Sequence, residues 1–575
     1  MGLLNPSEKE YTEQPRVDDT IDQGRLLSPP DPGILGESSP KPPSESEPPF
    51  QWSRCGRAFW MVVVANLTCD FLSAFDLTAV STALPTIVKD LNGDDFIWAG
   101  SAYPLAATAM VPMCGGLASI FGRKPILVVS IAFFSLGSAL AGAAQNVSML
   151  IAARAIQGFG SGGALAVTEI IYADLVPLPQ RGVIQGITAS VWALASAVGP
   201  IVGGALATSG AWRWLFFLNL PISAIAAVLV LIYLRVNTPE STFKSKIARM
   251  DWIGNIMVVG SSASITLALT WGGLRYAWDS AQVLVSLIVG IIGLFCFFLI
   301  EKFWSKEPTI PLSVVSNRTS VSGYLGTAVH GVVSFAAIYY LPVYFQAVQK
   351  ASAVRSGIDL LAMAMFITPS CMVCGVSVEI ARRYRPQNYI GWMLTVVGFG
   401  ILTLLNENSS KAQYIGFQVV LGIGLGIIWI ATQFPILAPL PYSNNANALA
   451  FFTFVRSLSQ TFGVAIGGAV LQNSLQHKLP VDFIDQLPRG VSVAYAAIPA
   501  IPSLSEPLQT EVRKAFADSL RRLFQVMIGI SGLGLLTVLL MKEVDLRSEV
   551  DEQWGLQGKE RSEETSLEEL TTLRV

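Results

Sequence analysis

Apolar runs of about 20 residues recur from Phe59 to Met541, and they constrain the fold more than any other feature of the chain. A run of that length crosses the ~30 Å hydrocarbon core of a bilayer as a helix. The composition agrees, because 52% of the residues are hydrophobic and only 14% are charged. That is too little charge to cover the surface of a soluble protein of this length. The sequence therefore predicts an all-α polytopic membrane protein.

We predict fourteen spans and a cytoplasmic location for both termini. Basic residues concentrate on alternate connections, such as Arg123 and Lys124 after the second span and Arg382 and Arg383 after the tenth. Loops rich in Lys and Arg face the cytoplasm. The predicted spans are 59–88, 97–121, 125–144, 147–171, 183–207, 214–234, 252–271, 281–301, 320–346, 356–380, 388–405, 412–438, 446–471 and 520–541.

An internal repeat divides these spans into two similar halves. Residues 199–206 (GPIVGGAL) match residues 463–470 (GVAIGGAV), and residues 115–125 match residues 375–386 at nearly the same offset. The repeat predicts two six-helix bundles around a central cavity near the bilayer midplane. The predicted segments are a disordered N-terminal tail 1–57, a first bundle 58–235, a linker with two extra spans 236–318, a second bundle 319–543 with an outward loop 472–519, and a cytoplasmic tail 544–575.

Five stretches carry recognisable motifs: LTAVSTALPTI after Asp76, GGLASIFGRKP, LIAARAIQGFGSGG, ASAVGPIVGG and WRWLFFLNLPI. They resemble the first-helix, loop 2–3, fourth-helix, fifth-helix and span 6 motifs of the major facilitator superfamily, in its fourteen-span drug:proton antiporter branch. The resemblance implies a major facilitator fold of two six-helix bundles plus two inserted central helices. It also implies a fungal-type multidrug or toxin efflux transporter that exports amphipathic compounds in exchange for protons. Ser119 stands where the loop motif usually has aspartate.

Two carboxylates, Asp70 and Asp76, lie in the first predicted span, where an ionised carboxylate costs about 3 kcal/mol or more. We expect Asp76 to exchange protons, since a carboxyl group is charged when wet or paired and neutral when desolvated. The alternative is a packing carboxylate bonded to Ser or Thr neighbours. Asp70 faces another side of the helix and is a second proton candidate or a structural contact.

Arg154 in the fourth span stays charged and must be paired or wet. The resemblance implies a part for Arg154 in proton coupling, whereas a fixed ion pair or a carbonyl-bound guanidinium is the alternative. Arg123 and Lys124 are topology determinants, and the resemblance adds a role in latching the cytoplasmic side.

The fifth span carries a predicted kink and close-packing motif. Pro200 removes a helix hydrogen bond after Gly199, and Gly203 and Gly204 permit close helix approach. Polar and aromatic residues of several spans are cavity candidates, with interhelical contact or packing as the alternative: Gln157, Trp192, His330, Tyr339, Gln346, Gln433, Phe451 and Arg456.

Other function classes find little support in the sequence. The glycines of LGIGLG at 421–426 follow no strand, and no phosphate-binding loop motif is present, so nucleotide chemistry is disfavoured. Six scattered cysteines and two histidines make a metal site improbable, and we expect no cofactor, no enzyme activity, no nucleic-acid partner and a monomer.

The partners we expect are an organic substrate, protons and lipid. We favour the plasma membrane over the vacuolar membrane. Uptake or vacuolar transport of a basic amino acid or siderophore, or a non-transporting sensor, are the alternatives.

Overall fold

A computed structural model describes residues 52–91, 96–236, 242–273, 276–305, 307–484 and 497–546. Most of the two predicted tails, 1–57 and 544–575, lies outside these ranges. The first described element is a short turn at Trp52–Arg54, and α1 begins at Arg57.

In the described part of the chain, thirteen helices are long and apolar enough to cross a membrane. We number the long helices in chain order. They are α1 Arg57–Asp90, α2 Phe96–Phe121, α3 Arg123–Gly142, α4 Val147–Leu175, α5 Arg181–Thr208, α6 Trp214–Tyr233, α7 Trp252–Trp271, α8 Ala281–Phe303, α9 Arg318–Val343, α10 Ala353–Ala381, α11 Arg385–Leu402, α12 Lys411–Ala431, α13 Asn445–Lys478 and α14 Leu508–Leu540.

The helix α11 stands where the eleventh span is predicted, but it is not among the thirteen. Its 18 residues begin with Arg385, Gln387 and Asn388, which lower its apolarity. At the other end of the second half, α13 continues to Lys478 and α14 begins at Leu508. The predicted outward loop 472–519 is therefore too long, because helix periodicity continues through polar residues that hydropathy excludes.

Local sequence signals explain several helix starts. Asn146, Ser280 and Ser352 each cap a helix by accepting a hydrogen bond from a backbone N–H three residues later, the expected role of Asn and Ser. Between α2 and α3, Gly122 adopts φ 94°. This conformation is strained for residues with a Cβ, so the glycine of the loop 2–3 motif permits an abrupt turn there.

The glycines of the internal repeat occupy equivalent places in the two halves. Gly199 and Gly203 pack α5 against Thr78 and Ala79 of α1. In the second half, the glycines at 463 and 467 pack α13 against α9 in the same manner. The fifth helix of each half thus lies on the first helix of that half, while the inserted α7 and α8 pack on each other and α7 also contacts α2 and α13.

The two halves meet closely at one end, which we call the closed end. It is the end predicted to face the cytoplasm. A methyl group added at Gly182 of α5 would overlap the backbone of Gly375 of α10, and one added at Gly115 of α2 would overlap Asn447 of α13. The second helix of each half therefore contacts the fifth helix of the other. Among the described residues, α1 and α9 make no comparable contact with each other.

Candidate transport site

The Asp76 carboxylate lies in a fully buried polar cluster within the first half. Its Oδ2 forms an ion pair with Nη1 of Arg154 on α4. Its Oδ1 accepts hydrogen bonds from Gln157 Nε2 at 2.8 Å and from Asn219 Nδ2 at 2.9 Å. Asp76 is 1% exposed and Arg154 is equally buried. The cluster joins α1, α4 and α6, and it satisfies both oxygens of the carboxylate.

Arg154 is held from several sides. Nη1 also donates to Gln157 Oε1 at 2.6 Å, and the guanidinium carbon lies 4.4 Å from the ring centroid of Tyr103. That ring provides a cation–π contact. The Tyr103 hydroxyl donates to Ser161 Oγ at 2.6 Å, and Ser138 Oγ accepts from Gln157 at 2.8 Å. Of the alternatives for Arg154, the structure shows an ion pair with a carboxylate rather than contacts with carbonyls.

Asp70 does not share the environment of Asp76. It is 3% exposed, and its Oδ2 has no hydrogen-bond partner within bonding geometry. Its polar neighbours are Tyr172 and Glu169 of α4. The hydroxyl groups of Tyr172 and of the nearby Thr188 also lack partners. As expected from their spacing, the two aspartates of α1 face different surroundings.

A second acid–arginine cluster lies between the halves, near the closed end. Glu169 of α4 accepts a hydrogen bond from Gln185 of α5, and the Gln433 side chain of the second half lies within hydrogen-bonding reach of the same carboxylate. Among the described residues, Arg456 of α13 is the cation with the largest electrostatic effect on the Glu169 carboxylate. We call these four residues the interhalf cluster.

Arg456 is buried against aromatic rings. Its guanidinium carbon lies 4.3 Å from the ring centroids of both Trp429 and Phe452. Nη2 donates to the Trp429 carbonyl at 2.6 Å, whereas Nε has no partner. Its aromatic neighbour Trp429 also contacts the His330 ring edge-on at 5.8 Å.

The basic residues of the loop 2–3 motif contact their own half. Arg123 Nε forms an ion pair with Asp174 at 2.8 Å and Nη1 donates to the Ala118 carbonyl at 2.9 Å, all buried. Lys124 Nζ is more exposed and donates to the Leu231 carbonyl at 2.7 Å. These contacts tie α3 to α2, α4 and α6, and the predicted latch role of this pair stays a prediction.

Two glycines of the fifth-helix motif lie against α1. A side chain at Gly199 or Gly203 would overlap α1, so these two positions require glycine for the observed approach. The role predicted for Gly204 stays a prediction: the nearest atom to a Cβ there is Thr82 Cγ2 at 3.8 Å, an ordinary van der Waals contact. Gly204 lies on the neighbouring face of the helix. The helix α5 continues through Pro200 to Thr208.

The cavity candidates are scattered rather than gathered at one site. Gln157 belongs to the Asp76 cluster, and Gln433 belongs to the interhalf cluster. His330 is buried and hydrogen-bonds the Leu425 carbonyl. Gln346 hydrogen-bonds Ser356, Phe451 packs on Tyr324 and Phe298, and Trp192 packs against the core of the first half. Tyr339 is exposed.

Sequence reasoning missed several residues of both clusters. Asn219 lies in the quoted stretch WRWLFFLNLPI, and as a lone amide among apolar residues it carried a usable signal. Ser138 and Tyr103 resemble ordinary helix residues and gave none. Glu169 lies six residues before the end of α4, where an acid is easily taken for a solvated one.

Comparisons with known proteins place this arrangement in a family context. The model of the Major Facilitator Superfamily matches residues 67–464. The chain is 37% identical to the MFS-type efflux pump LUC4 of Fusarium sp, covering 92% of this chain and 96% of the relative. It is 36% identical to the efflux pump FUS6 of Gibberella fujikuroi, with 93% and 98% covered. It is 34% identical to the MFS-type transporter gkaD of Penicillium citrinum, with 96% and 97% covered.

Two solved structures share the fold. The human organic anion transporter MFSD10 superposes with a TM-score of 0.54 at 11% identity, covering 84% of this chain and all of that structure. The proton:xylose symporter XylE superposes with a TM-score of 0.54 at 13% identity, covering 86% and 98%. At these identities the likeness concerns the fold alone.

Proposed function

This chain belongs to the Major Facilitator Superfamily, and on that premise we propose that it exports amphipathic organic compounds in exchange for protons by alternating access. Its family membership makes it a multi-pass membrane transporter of small molecules rather than an enzyme. Export is supported by the relatives that are named efflux pumps in fungi. We propose the plasma membrane as its location, with the vacuolar membrane as the alternative.

The buried ion pair of Asp76 and Arg154 is the observation that carries the proton-coupled part of the proposal. Arginine keeps its charge in proteins, so Asp76 is the member that can change charge. In the described conformation, the carboxylate is stabilised by Arg154 and two amides. Protonation removes the attraction to Arg154 and leaves the guanidinium with Gln157 and the Tyr103 ring. One site thus has two charge states with different packing.

The helix α5 is positioned to connect this site with the closed end. Gly199 and Gly203 lie against α1 within a few residues of Asp76, while Gly182 of the same helix lies against α10. A shift of α1 on protonation is expected to move α5 as a unit, because the contacts leave no room for independent displacement. We propose this as the connection between proton exchange and opening of the closed end.

Flux in liposomes that contain the purified protein tests the proposal. We expect a fluorescent amphipathic acid, such as 9-anthracenecarboxylate, to accumulate in the acidic lumen faster than in protein-free liposomes, which control for passive entry. Nigericin, which collapses the pH gradient, should abolish the difference. Protein-dependent flux of this acid that is the same with and without a gradient would contradict proton exchange.

A further inference from the structure

We propose that Arg456 recognises an acidic group of the substrate, and that Glu169 is its electrostatic partner when the substrate is absent. The inference rests on the proposed export function and adds a substrate class: amphipathic compounds that carry a carboxylate or a similarly delocalised anion. It concerns the interhalf cluster and not the Asp76 site.

The surroundings of Arg456 suit an amphipathic acid. A guanidinium presents a planar fork of N–H donors that matches a carboxylate. Nη2 of Arg456 donates to the Trp429 carbonyl, whereas Nε has no partner. The residue as a whole is only 8% exposed. Buried donors without partners are costly. The rings of Trp429 and Phe452 hold the guanidinium in place and offer apolar surface beside it.

Glu169 approaches Arg456 from the opposite half. It lies on α4, where Gln185 of the same half fixes its carboxylate. No carboxylate of the described residues lies within 4.0 Å of Arg456 in an ion pair, so Glu169 acts on it at longer range. When the closed end opens, Glu169 and Gln185 move away with the first half. Arg456 then faces the opening without an acidic neighbour.

This arrangement sets up a competition for one cation. A substrate acid entering from the predicted cytoplasmic side would bind Arg456 in the open state. Closure brings the Glu169 carboxylate back toward Arg456 and the bound substrate acid. The two negative groups repel each other at short distance. The returning carboxylate therefore weakens the hold on the substrate as the opposite side becomes accessible. Glu169 is a positioning and release residue in this scheme, and Arg456 is the group that touches substrate.

Binding to the purified, full-length protein in detergent tests the inference without a proton gradient. The probes are two matched pairs: 9-anthracenecarboxylate with 9-anthracenecarboxamide, and decanoate with decanamide. We expect each acid to bind at least about tenfold more tightly than its amide. Arg456→Gln should reduce that ratio to about one, because it weakens binding of the acid far more than binding of the amide. Glu169→Gln should tighten acid binding several-fold.

The control is Arg513→Gln, because Arg513 also donates to backbone carbonyls, those of Val348 and Glu407, but lies outside the interhalf cluster. This variant should keep the ratio. Should Arg456→Gln fail to fold, Arg456→Lys serves in its place, since it keeps the charge and loses the fork, and it should lower the ratio to a few-fold.

Two results would overturn the inference. One is a wild-type protein without preference for either acid, and the other is a variant of Arg456 that weakens acid and amide equally or leaves the preference unchanged. Failure of the proposed proton exchange would instead appear as gradient-independent flux in liposomes, with the binding ratio intact.

Discussion

The protein has two acid–arginine sites between its helices, and they differ in how they are built. In the first, Asp76 and Arg154 belong to the same half, and each carboxylate oxygen has a donor. In the second, Glu169 and Arg456 belong to opposite halves, and Arg456 Nε has no partner. In the alternating access that we propose, the halves move relative to each other. The first site then keeps its members together, whereas Glu169 and Arg456 of the second site approach and separate in each cycle.

The difference has a physical consequence. An ion pair within one half stabilises both conformations equally, so it does not favour either one. It can affect their balance only when its charge changes, as it does when Asp76 is protonated. A between-half interaction contributes to one conformation only and biases the equilibrium directly. The two sites therefore suit the two roles that we propose, proton exchange at Asp76 and substrate recognition at Arg456.

The largest expected effect comes from breaking the within-half pair. Arg154→Gln leaves Asp76 without its guanidinium, and removing one partner of a buried pair costs about 3–5 kcal/mol. We expect a large loss of correctly inserted, monodisperse protein and a clearly lowered Tm. The double variant Asp76→Asn/Arg154→Gln removes both charges and should recover most of the yield. If Arg154→Gln is as stable as the wild type, the ion pair with Asp76 does not contribute to stability.

A smaller effect is expected from separating the halves at the closed end. Gly182→Ala places a methyl group in the backbone of Gly375, and such overpacking costs about 1–3 kcal/mol. We expect at least about tenfold slower flux and faster maleimide labelling of the buried Cys371 and Cys374 behind this contact, read by peptide mass spectrometry.

The matched control for that experiment is Gly204→Ala in the same helix. The nearest atom to its new methyl group lies at 3.8 Å, so flux and labelling should stay near the wild-type values. Equal effects of the two alanines would mean that the contact between α5 and α10 does not govern opening.

The smallest effects concern the loop 2–3 motif, whose contacts lie within the first half. Arg123→Ala leaves the buried Asp174 without its ion pair to Arg123, and we expect a several-fold loss of flux and a lower Tm. Lys124→Ala removes a more exposed contact with one carbonyl and should change flux by less than about twofold. A severe defect in Lys124→Ala with normal insertion would restore the latch interpretation for this lysine.

The sequence carries enough information to predict the fold and three members of the first site, but not the remaining members or their contacts. Hydropathy marks the spans, and the family motifs select Asp76, Arg154 and Gln157. Helical periodicity predicts which face of its own helix a residue occupies, but it does not predict which other helix packs against that face. The pairing of Asp76 with Arg154, and the place of Asn219 beside them, depend on how α1, α4 and α6 pack together.

The second site was harder to predict for a related reason. The sequence marks Arg456 and Gln433 as polar residues within predicted spans, but it does not single out Glu169. No local pattern links Glu169 to Arg456, which lies nearly 300 positions later in the chain. Hydropathy also misplaced the ends of α13 and α14, because these helices extend past the apolar residues that define a span. The repeat succeeded where single motifs were ambiguous, since its glycines contact equivalent helices in both halves.

The most direct test of the central claim compares two kinds of flux in liposomes for Asp76→Asn and Asp70→Asn at matched protein levels. Exchange of labelled for unlabelled 9-anthracenecarboxylate without a gradient needs conformational cycling but no net proton movement. Accumulation driven by a pH gradient needs both. We predict that Asp76→Asn retains this exchange and loses gradient-driven accumulation, while Asp70→Asn is milder in both. Normal gradient-driven accumulation by Asp76→Asn would contradict the account, and a selective loss in Asp70→Asn would assign proton exchange to the other carboxylate.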